Sequence, residues 1–337
     1  MREQTEAREK LISVSTSPYI HSGESISKIM WTVVLALAPA AIFGAVYFGP
    51  PALFNIVASV AAAVGTEYAI QRLRKVRITA FDGSAFLTGL LLAMSISPRV
   101  PCYMAAAGAV IAIAVAKQSM GGLGFNIFNP AHIGRAALMV SWPIAMTSWP
   151  ALTTRADVVT SATPLAILKQ QGYPQLLEAF GGQSALYKAM FLGTRNGSIG
   201  ETCTLLLLLG GAFVLYKGYI GIQTPLCMIG TVGILTWIFG PDGFFTGDGL
   251  FHMMAGGLVI GAFFMATDMV TIPITKRGRA IFAVGAGMIT TLIRLKGGYP
   301  EGVCYSILLM NGLTPLIDLA IKPRIYGTGG RKSHVGA

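Results

Sequence analysis

Long apolar stretches separated by short polar breaks run from residue 29 to residue 323 of the chain. A stretch of about 20 apolar residues matches the roughly 30 Å hydrocarbon core of a bilayer, so each one indicates a membrane-spanning helix. The pattern predicts ten spans: 29–49, 53–71, 83–98, 103–118, 129–149, 201–217, 222–240, 252–273, 278–295 and 302–321. We therefore expect an all-α polytopic membrane protein.

Proline interrupts several of these spans. The third span ends at Ser97-Pro98, the fifth begins at Asn129-Pro130 and the eighth ends at Ile272-Pro273. Broken helices are tolerated within a membrane only where protein or a polar cavity satisfies the freed backbone groups. The breaks therefore indicate a polar interior.

Composition supports the membrane assignment, because 53% of the 337 residues are hydrophobic and only 12% are charged, against about a quarter charged in soluble domains. The net charge of +11 could suit nucleic acid, but no basic run is interleaved with aromatic residues, so nucleic acid is not an expected partner. The cysteines lie singly, at Cys102, Cys203, Cys227 and Cys304. That spacing supports neither a metal site nor an iron–sulfur cluster.

The basic residues divide unequally between the two sides that ten spans would create. Seventeen lysines and arginines fall on the side of the termini and seven on the opposite side, with Arg135 inside a span. Because positive residues concentrate on the cytoplasmic side, both termini are expected to be cytoplasmic. The predicted regions are a cytoplasmic segment 1–28, a membrane unit 29–149, an extracytoplasmic loop 150–200, a second membrane unit 201–321 and a cytoplasmic tail 322–337.

The two membrane units resemble each other at a nearly constant offset. Four matches occur at offsets of 174 to 177: residues 23–25 with 200–202, Pro51 with Pro225, 94–98 with 269–273, and 121–122 with 297–298. Since each unit has five spans, the second copy enters the membrane from the other side. This predicts two inverted five-helix repeats, a design typical of transporters.

Ionisable residues inside a membrane span are costly and are functional candidates. Asp268 and Arg135 lie beside the broken segments, and both a role in ion movement and a structural role are open for them. The Gly121-Gly122 and Gly297-Gly298 breaks are candidates for the same interface region. Glu67 and Asp318 lie near span ends, which favours snorkelling or a local ion pair.

Glu24 and Glu201 occupy equivalent places just ahead of the first span of each unit. A carboxylate there favours the positive end of the helix, so we interpret both residues as helix-end charges that could cap the helix.

The extracytoplasmic loop contains a threonine that could serve two purposes. Thr163 precedes Pro164, an arrangement that predicts an N-cap and a short helix ending near Gln171. Thr163 is also expected to be an exposed hydroxyl beside small residues, with Asp157 upstream. That setting suits enzymatic transfer of a phosphorylated group onto oxygen.

Further motifs are spread over nearly the whole chain. They are 14–21 (VSTSPYIH), 124–131 (GFNIFNPA), 141–143 (SWP), 157–163 (DVVTSAT), 197–202 (GSIGET), 262–268 (AFFMATD) and 297–302 (GGYPEG). With these motifs the chain resembles the RnfD and NqrB family of membrane subunits, and it is more similar to the RnfD members. Those subunits belong to the Rnf ferredoxin:NAD oxidoreductase and to the sodium-pumping NADH:quinone reductase.

The resemblance implies a covalent flavin. In the family, the threonine matching Thr163 carries flavin mononucleotide (FMN) through a phosphoester bond that a flavin transferase makes outside the membrane. Asp157, Thr160, Ser161 and Ala162 form the matching attachment motif, with Ser161 where the family often has glycine. The resemblance also implies a second, non-covalent flavin, riboflavin, among the helices.

The implied function is electron transfer in the cell inner membrane, coupled to translocation of sodium ions or protons. This protein alone would not complete a reaction, because no glycine-rich nicotinamide motif follows a strand. Expected partners are the other Rnf-type membrane and peripheral subunits, including a second covalent-flavin subunit and iron–sulfur subunits. Two alternatives remain: a transporter or channel of the ammonium and urea type without a redox role, and a scaffold subunit without cofactor.

Overall fold

The structure is a computed structural model that describes residues 23–149, 163–240 and 243–323. Within these ranges the regular secondary structure is helical apart from one antiparallel pair of two-residue strands. These strands are β1 (Phe239–Gly240) and β2 (Gly243–Phe244). The predicted all-α class is therefore confirmed.

The first half of the chain contains six helices, and each predicted span coincides with helical residues. They are α1 (Ile26–Phe48), α2 (Pro50–Leu73), α3 (Ser84–Met94), α4 (Cys102–Ile111), α5 (Pro130–Ser141) and α6 (Pro143–Thr147). A π-helical segment, Ala112–Gln118, extends α4.

Three short helices lead into the second half: α7 (Pro164–Gln171), α8 (Tyr173–Phe180) and α9 (Gln183–Leu192). The second half then contains α10 (Thr204–Tyr216), α11 (Gln223–Ile238), α12 (Gly249–Met254), α13 (Leu258–Ile260), α14 (Lys276–Lys296) and α15 (Val303–Ala320). A second π-helical segment, Gly261–Met265, follows α13.

Side-chain caps set several helix starts. Ser25 accepts a hydrogen bond from the Lys28 backbone N–H, and Asn129 accepts one from Ala131. Such caps satisfy backbone donors that have no partner within the helix. Gly49 separates α1 from α2 with a φ of +76°, a conformation that favours glycine.

Two predicted spans are not continuous helices. The fifth breaks between α5 and α6 at Trp142-Pro143, because proline cannot continue the hydrogen-bond ladder of the preceding turn. The eighth is divided into α12, α13 and a π-helical segment. The Asn129 side-chain amide donates to the Met265 carbonyl at the end of that segment, so side chains satisfy part of the broken backbone, as expected.

Four of the described helices are long and apolar enough to cross a membrane: α1, α2, α14 and α15. Four further apolar helical segments are shorter, at Ser84–Met94, Cys102–Gln118, Thr204–Tyr216 and Gln223–Ile238. These helices confirm a polytopic membrane protein.

The helix contacts of the two halves correspond. In the first half α2 packs on α3 and α4, and α4 packs on α5. In the second half α11 packs on α12 and α14, and α14 packs on α15. Helices α1 and α10, and helices α5 and α15, join the halves. This correspondence agrees with the predicted repeat, while the inversion across a membrane stays a prediction.

The apolar core has two parts. The larger cluster runs through both halves. The smaller one lies beneath α7, α8 and α9 and contains Leu165, Leu176, Leu186 and Phe251. Helices α7–α9 therefore form a small layer seated on α12.

Candidate functional site

Thr163 lies at the first turn of α7, as the sequence predicts. Its Oγ accepts a hydrogen bond of 3.2 Å from the Ala166 backbone N–H, and Pro164 occupies the first helical position. The residue is only 4% exposed, which corrects the expectation of an exposed hydroxyl. The other residues of the attachment motif, Asp157, Thr160, Ser161 and Ala162, lie outside the described residues.

Lys169 fixes α7 to the end of α14. Its Nζ donates to the carbonyl oxygens of Ile293, Gly297 and Tyr299. The last carbonyls of a helix have no partner within the helix and carry partial negative charge, so a lysine stabilises them. The position of Thr163 is thus tied to the second half of the chain, beside the Gly297-Gly298 break.

A wide groove is lined by α7 from Leu165 onward, two residues after Thr163. Its volume is about 900 Å³, and Leu165 and Leu168 of α7 line it. Aromatic and charged side chains also line the groove: Tyr173, Trp237, Phe239, Phe244, Phe251, Lys169, Asp248 and Arg294. Apolar walls with a few placed polar groups are typical of sites for small molecules and cofactors.

Asp248 holds the small helical layer on α12. Its carboxylate accepts hydrogen bonds from the Tyr173 and Tyr187 hydroxyls at 2.7 and 2.8 Å, and from the Phe251 backbone N–H. Burial, and next the hydrogen bond to Asp248, raise the pKa of Tyr173. The same causes, in the same order, raise the pKa of Tyr187.

Asp268 lines a second, smaller cavity between the halves, of about 90 Å³. Its carboxylate accepts hydrogen bonds from the Val270 backbone N–H at 3.4 Å and from the Thr271 hydroxyl at 3.2 Å. Lys117, Asn129 and Phe264 also line this cavity.

Glu67 forms a buried ion pair with Lys117, so the local ion pair expected for Glu67 is confirmed. The Lys117 Nζ lies 2.7 Å from Glu67 Oε2, and the two side chains are 2% and 1% exposed. Lys117 also donates to Ser84, and Gln118 donates to Glu67. The sequence predicts that Lys117 is a charge at the end of the fourth span. The almost complete burial of its side chain corrects that prediction.

Arg135 lies at a different place from Asp268. Its guanidinium contacts Glu301 at 2.5 Å, and the two residues line a small cavity with Cys304. Since Glu301 stands just before α15, this pair joins the two halves. Asp318 lies elsewhere again and accepts a hydrogen bond from the Ile274 backbone N–H.

Sequence reasoning missed a cluster of buried charges around Arg135. The exposed fractions are 3% for Arg195, 3% for Glu201 and 5% for Arg294. The distribution of basic residues instead predicts that both arginines lie at the extracytoplasmic surface. The capping interpretation of Glu201 is wrong, because Cys203 occupies the N-cap of α10. It is also wrong for Glu24, since Ser25 caps α1 and Glu24 instead pairs with Lys28.

The local signal for this cluster was present in the glycine-rich segments 197–202 and 297–302, each of which contains one glutamate. Their closeness in space was not readable, because 100 residues separate Glu201 from Glu301.

This geometry defines a helical membrane protein in which a helix that lines a large groove begins with an N-capping threonine. The chain matches the model of the NQR2, RnfD, RnfE family over residues 13–327. It therefore belongs to that family, and the resemblance deduced from the motifs is confirmed.

Curated relatives match the chain over almost its full length. One from Clostridium ljungdahlii, a component of a proton-translocating ferredoxin:NAD(+) oxidoreductase complex, is 65% identical, over 96% of this chain and 99% of the relative. Its counterpart in a Na(+)-translocating complex of the same kind, from Acetobacterium woodii, is 44% identical, over 94% and 95%. The counterpart in an ion-translocating oxidoreductase complex from Stutzerimonas stutzeri is 40% identical, over 91% and 94%.

Proposed function

We propose that the protein is a flavin-carrying subunit of a membrane complex that couples electron transfer to ion translocation. The relatives named as components of ion-translocating oxidoreductase complexes support this role, since they match the chain nearly end to end. The observation that carries the proposal is Thr163, a hydroxyl at the N-cap of α7, a helix whose Leu165 and Leu168 line a groove of about 900 Å³.

The residues at Thr163 fit a phosphoester-linked FMN. The N-terminus of a helix favours a phosphate, because its backbone N–H groups and dipole are positive. The groove lies within the roughly 300–1000 Å³ of ordinary cofactor sites, and Trp237, Phe244 and Tyr173 supply aromatic surface. When bound, the flavin would supply the capacity to accept and pass on electrons.

The chain itself would position the group. Lys169 fixes α7 through three carbonyl groups near the end of α14, and Asp248 fixes α8 and α9 through two tyrosines. The groove wall therefore consists of segments that are tied to one another.

A second, non-covalent flavin, riboflavin, belongs to the proposal through the family resemblance. The Asp268 cavity has polar groups of a suitable kind, but its volume of about 90 Å³ is below that of ordinary ligand pockets. A whole flavin ring does not fit there without movement of the surrounding side chains. We assign no contacts to riboflavin.

The cellular location, the partner subunits and the translocated ion complete the proposal. The location is the cell inner membrane, with cytoplasmic termini and an extracytoplasmic flavin loop, supported by the distribution of basic residues. The partners are other Rnf-type subunits, including a second covalent-flavin subunit and iron–sulfur subunits, and a flavin transferase for maturation. The translocated ion is sodium or a proton, and Asp268 and Arg135 are the candidates for its pathway.

The experiment is ultraviolet in-gel fluorescence of the denatured chain, followed by mass analysis of the peptide that contains Thr163. Thr163→Asn is the decisive variant, because asparagine retains an N-cap but offers no hydroxyl for a phosphoester. We expect a fluorescent wild-type band and a dark variant band. A dark wild-type band from cells that contain the flavin transferase would contradict the proposal and favour a transporter or a scaffold subunit.

A further inference from the structure

Two glutamates from opposite ends of the second half meet in the buried charged cluster. Glu201 stands between α9 and α10 and is 3% exposed. Glu301 stands between α14 and α15, and its Oε2 accepts a hydrogen bond from Arg135. Both side chains approach adjacent glycines, since a Cβ on Gly257 would meet Glu201 and one on Gly256 would meet Glu301.

Each of these carboxyl groups keeps one oxygen without a conventional donor. Glu201 Oε1 and Glu301 Oε1 are both buried, and neither has a hydrogen-bond donor among the residues that the structure describes. Two ionised carboxylates have no hydrogen to share and repel each other at this range, so one of them is expected to be protonated. A single proton held by the pair would remove the repulsion between the two carboxylates.

The neighbouring arginines are engaged elsewhere. Arg195 donates to the carbonyl oxygens of Glu201 and Met254 at 2.6 and 3.0 Å. Arg294 donates to the carbonyls of His252 and Ala255 at 2.6 and 2.8 Å. These guanidinium groups thus hold the unwound backbone between α12 and α13. Among the described contacts neither donates to a carboxylate oxygen of the pair, and the Nε–H of each is buried without a partner.

The other ionisable groups that face the pair come from α5 and α15. Arg135 and His132 lie on α5, and Cys304 lies in the first turn of α15. Both His132 ring nitrogens are buried without a partner among the described residues. The three guanidinium groups nearby repel a metal cation and also favour the ionised acids, whereas burial and the repulsion between the two carboxylates favour protonation of one of them.

The unwound segment connects the acid pair to the helix of Thr163. A Cβ on Gly257 would lie 3.1 Å from Glu201 Oε1, and one on Gly256 would lie 3.5 Å from Glu301 Cγ. The same Cβ on Gly256 would meet the Leu165 side chain of α7 at 2.8 Å. The acids and Leu165 of α7 therefore approach the same short backbone segment, Gly256-Gly257.

We propose that Glu201 and Glu301 form a proton-binding site that holds one shared proton within the second half of the protein, beside Arg135 of the first half. Binding makes one O–H bond on a carboxylate oxygen, and release returns the proton to water, so nothing is oxidised or reduced at the pair. This inference rests on the proposed function only where the proton takes part in ion translocation.

The test is infrared spectroscopy of the purified complex during a pH titration in H₂O and in D₂O. A protonated carboxyl group gives a C=O stretching band that shifts in D₂O. We expect this band in the wild type and its complete loss in both Glu201→Gln and Glu301→Gln, because one proton serves both acids. A band that persists unchanged in both variants, or no titrating band in the wild type, would overturn the proposal.

Two controls make the result specific. Glu24→Gln changes the repeat-equivalent glutamate, which is solvent-exposed and paired with Lys28, and should leave the band unchanged. Glu201→Asp keeps a carboxyl group and should keep a band with a different pH midpoint, so it replaces Glu201→Gln if that variant does not assemble. The flavin test at Thr163 is independent: a titrating band in a flavin-free protein would contradict the proposed function and retain the proton site.

Discussion

Lys117 and Glu67 form an ion pair of 2.7 Å although 50 residues separate them in the chain, and both side chains are almost fully buried. Lys117 lies in the π-helical extension of α4, and Glu67 lies in α2. The pair therefore locks two helices of the first half together beside the Asp268 cavity, which Lys117 also lines.

Removing one partner of this pair should destabilise the protein strongly. Lys117→Met leaves the Glu67 carboxylate buried without its countercharge, and such a change costs about 3–5 kcal/mol. The combined Lys117→Met and Glu67→Leu variant should recover most of that loss. Thermal unfolding in detergent measures both, with Lys28→Met at the exposed Glu24 pair as the control that should change little. Equal loss in the single and combined variants would contradict this interpretation.

Close packing between α1 and α10 predicts a second effect. A Cβ on Gly210 would clash with the Ala36 backbone carbonyl, whereas a Cβ on Gly230 in α11 would have nothing within 4 Å. We expect Gly210→Ala to destabilise by about 1–3 kcal/mol. Gly230→Ala should stabilise by up to about 1 kcal/mol, because alanine favours the helix. Melting temperatures of the two variants, compared in one detergent, test the contrast; the same sign for both would be inconsistent with it.

The small helical layer should lose stability in alkali. Burial and then Asp248 raise the pKa of Tyr173 above its ordinary value, which is about 10 when unfolded. A raised pKa means that this contribution is fully present below about pH 10 and is lost as the pH rises further. The protection of the α8 amides against hydrogen exchange, relative to their intrinsic exchange rate at each pH, should therefore fall above about pH 10.

The matched variants for this alkaline effect are Tyr173→Phe and Tyr216→Phe. Tyr173→Phe removes the ionisable hydroxyl and should weaken the layer at every pH while reducing its alkaline loss. Tyr216 is 87% exposed, so Tyr216→Phe should leave the profile unchanged. An identical alkaline profile in wild type and Tyr173→Phe would show that another group is responsible.

Asp268 provides a prediction about ion movement. In vesicles that contain the whole complex, Asp268→Asn should lower ion uptake driven by electron transfer by about fivefold or more, the scale of a coupling energy between sites. Asp318→Asn is the control, because Asp318 bonds the Ile274 backbone away from the cavity. Unchanged uptake in Asp268→Asn would remove Asp268 from the ion pathway.

Features that depend on neighbouring residues could be predicted from the sequence. Contacts between side chains far apart in the chain could not. The start of α7 followed from Thr163 and Pro164, because a cap and a first-turn proline act within one helical turn. The burial of Lys117 depends on Glu67, 50 residues away. Glu24 and Glu201 occupy equivalent places in the repeat, yet only Glu201 is buried, because different segments cover the two ends.

The most direct test of the central claim is electron transfer by the purified complex that contains Thr163→Asn. This variant retains an N-cap for α7 but has no hydroxyl for a phosphoester, and Thr163→Ser is the control that retains both features. We measure reduction of NAD(+) by ferredoxin together with ion uptake into vesicles. With Thr163→Asn fully assembled, both activities should fall to background. An assembled Thr163→Asn complex with wild-type electron transfer would contradict a flavin relay at Thr163.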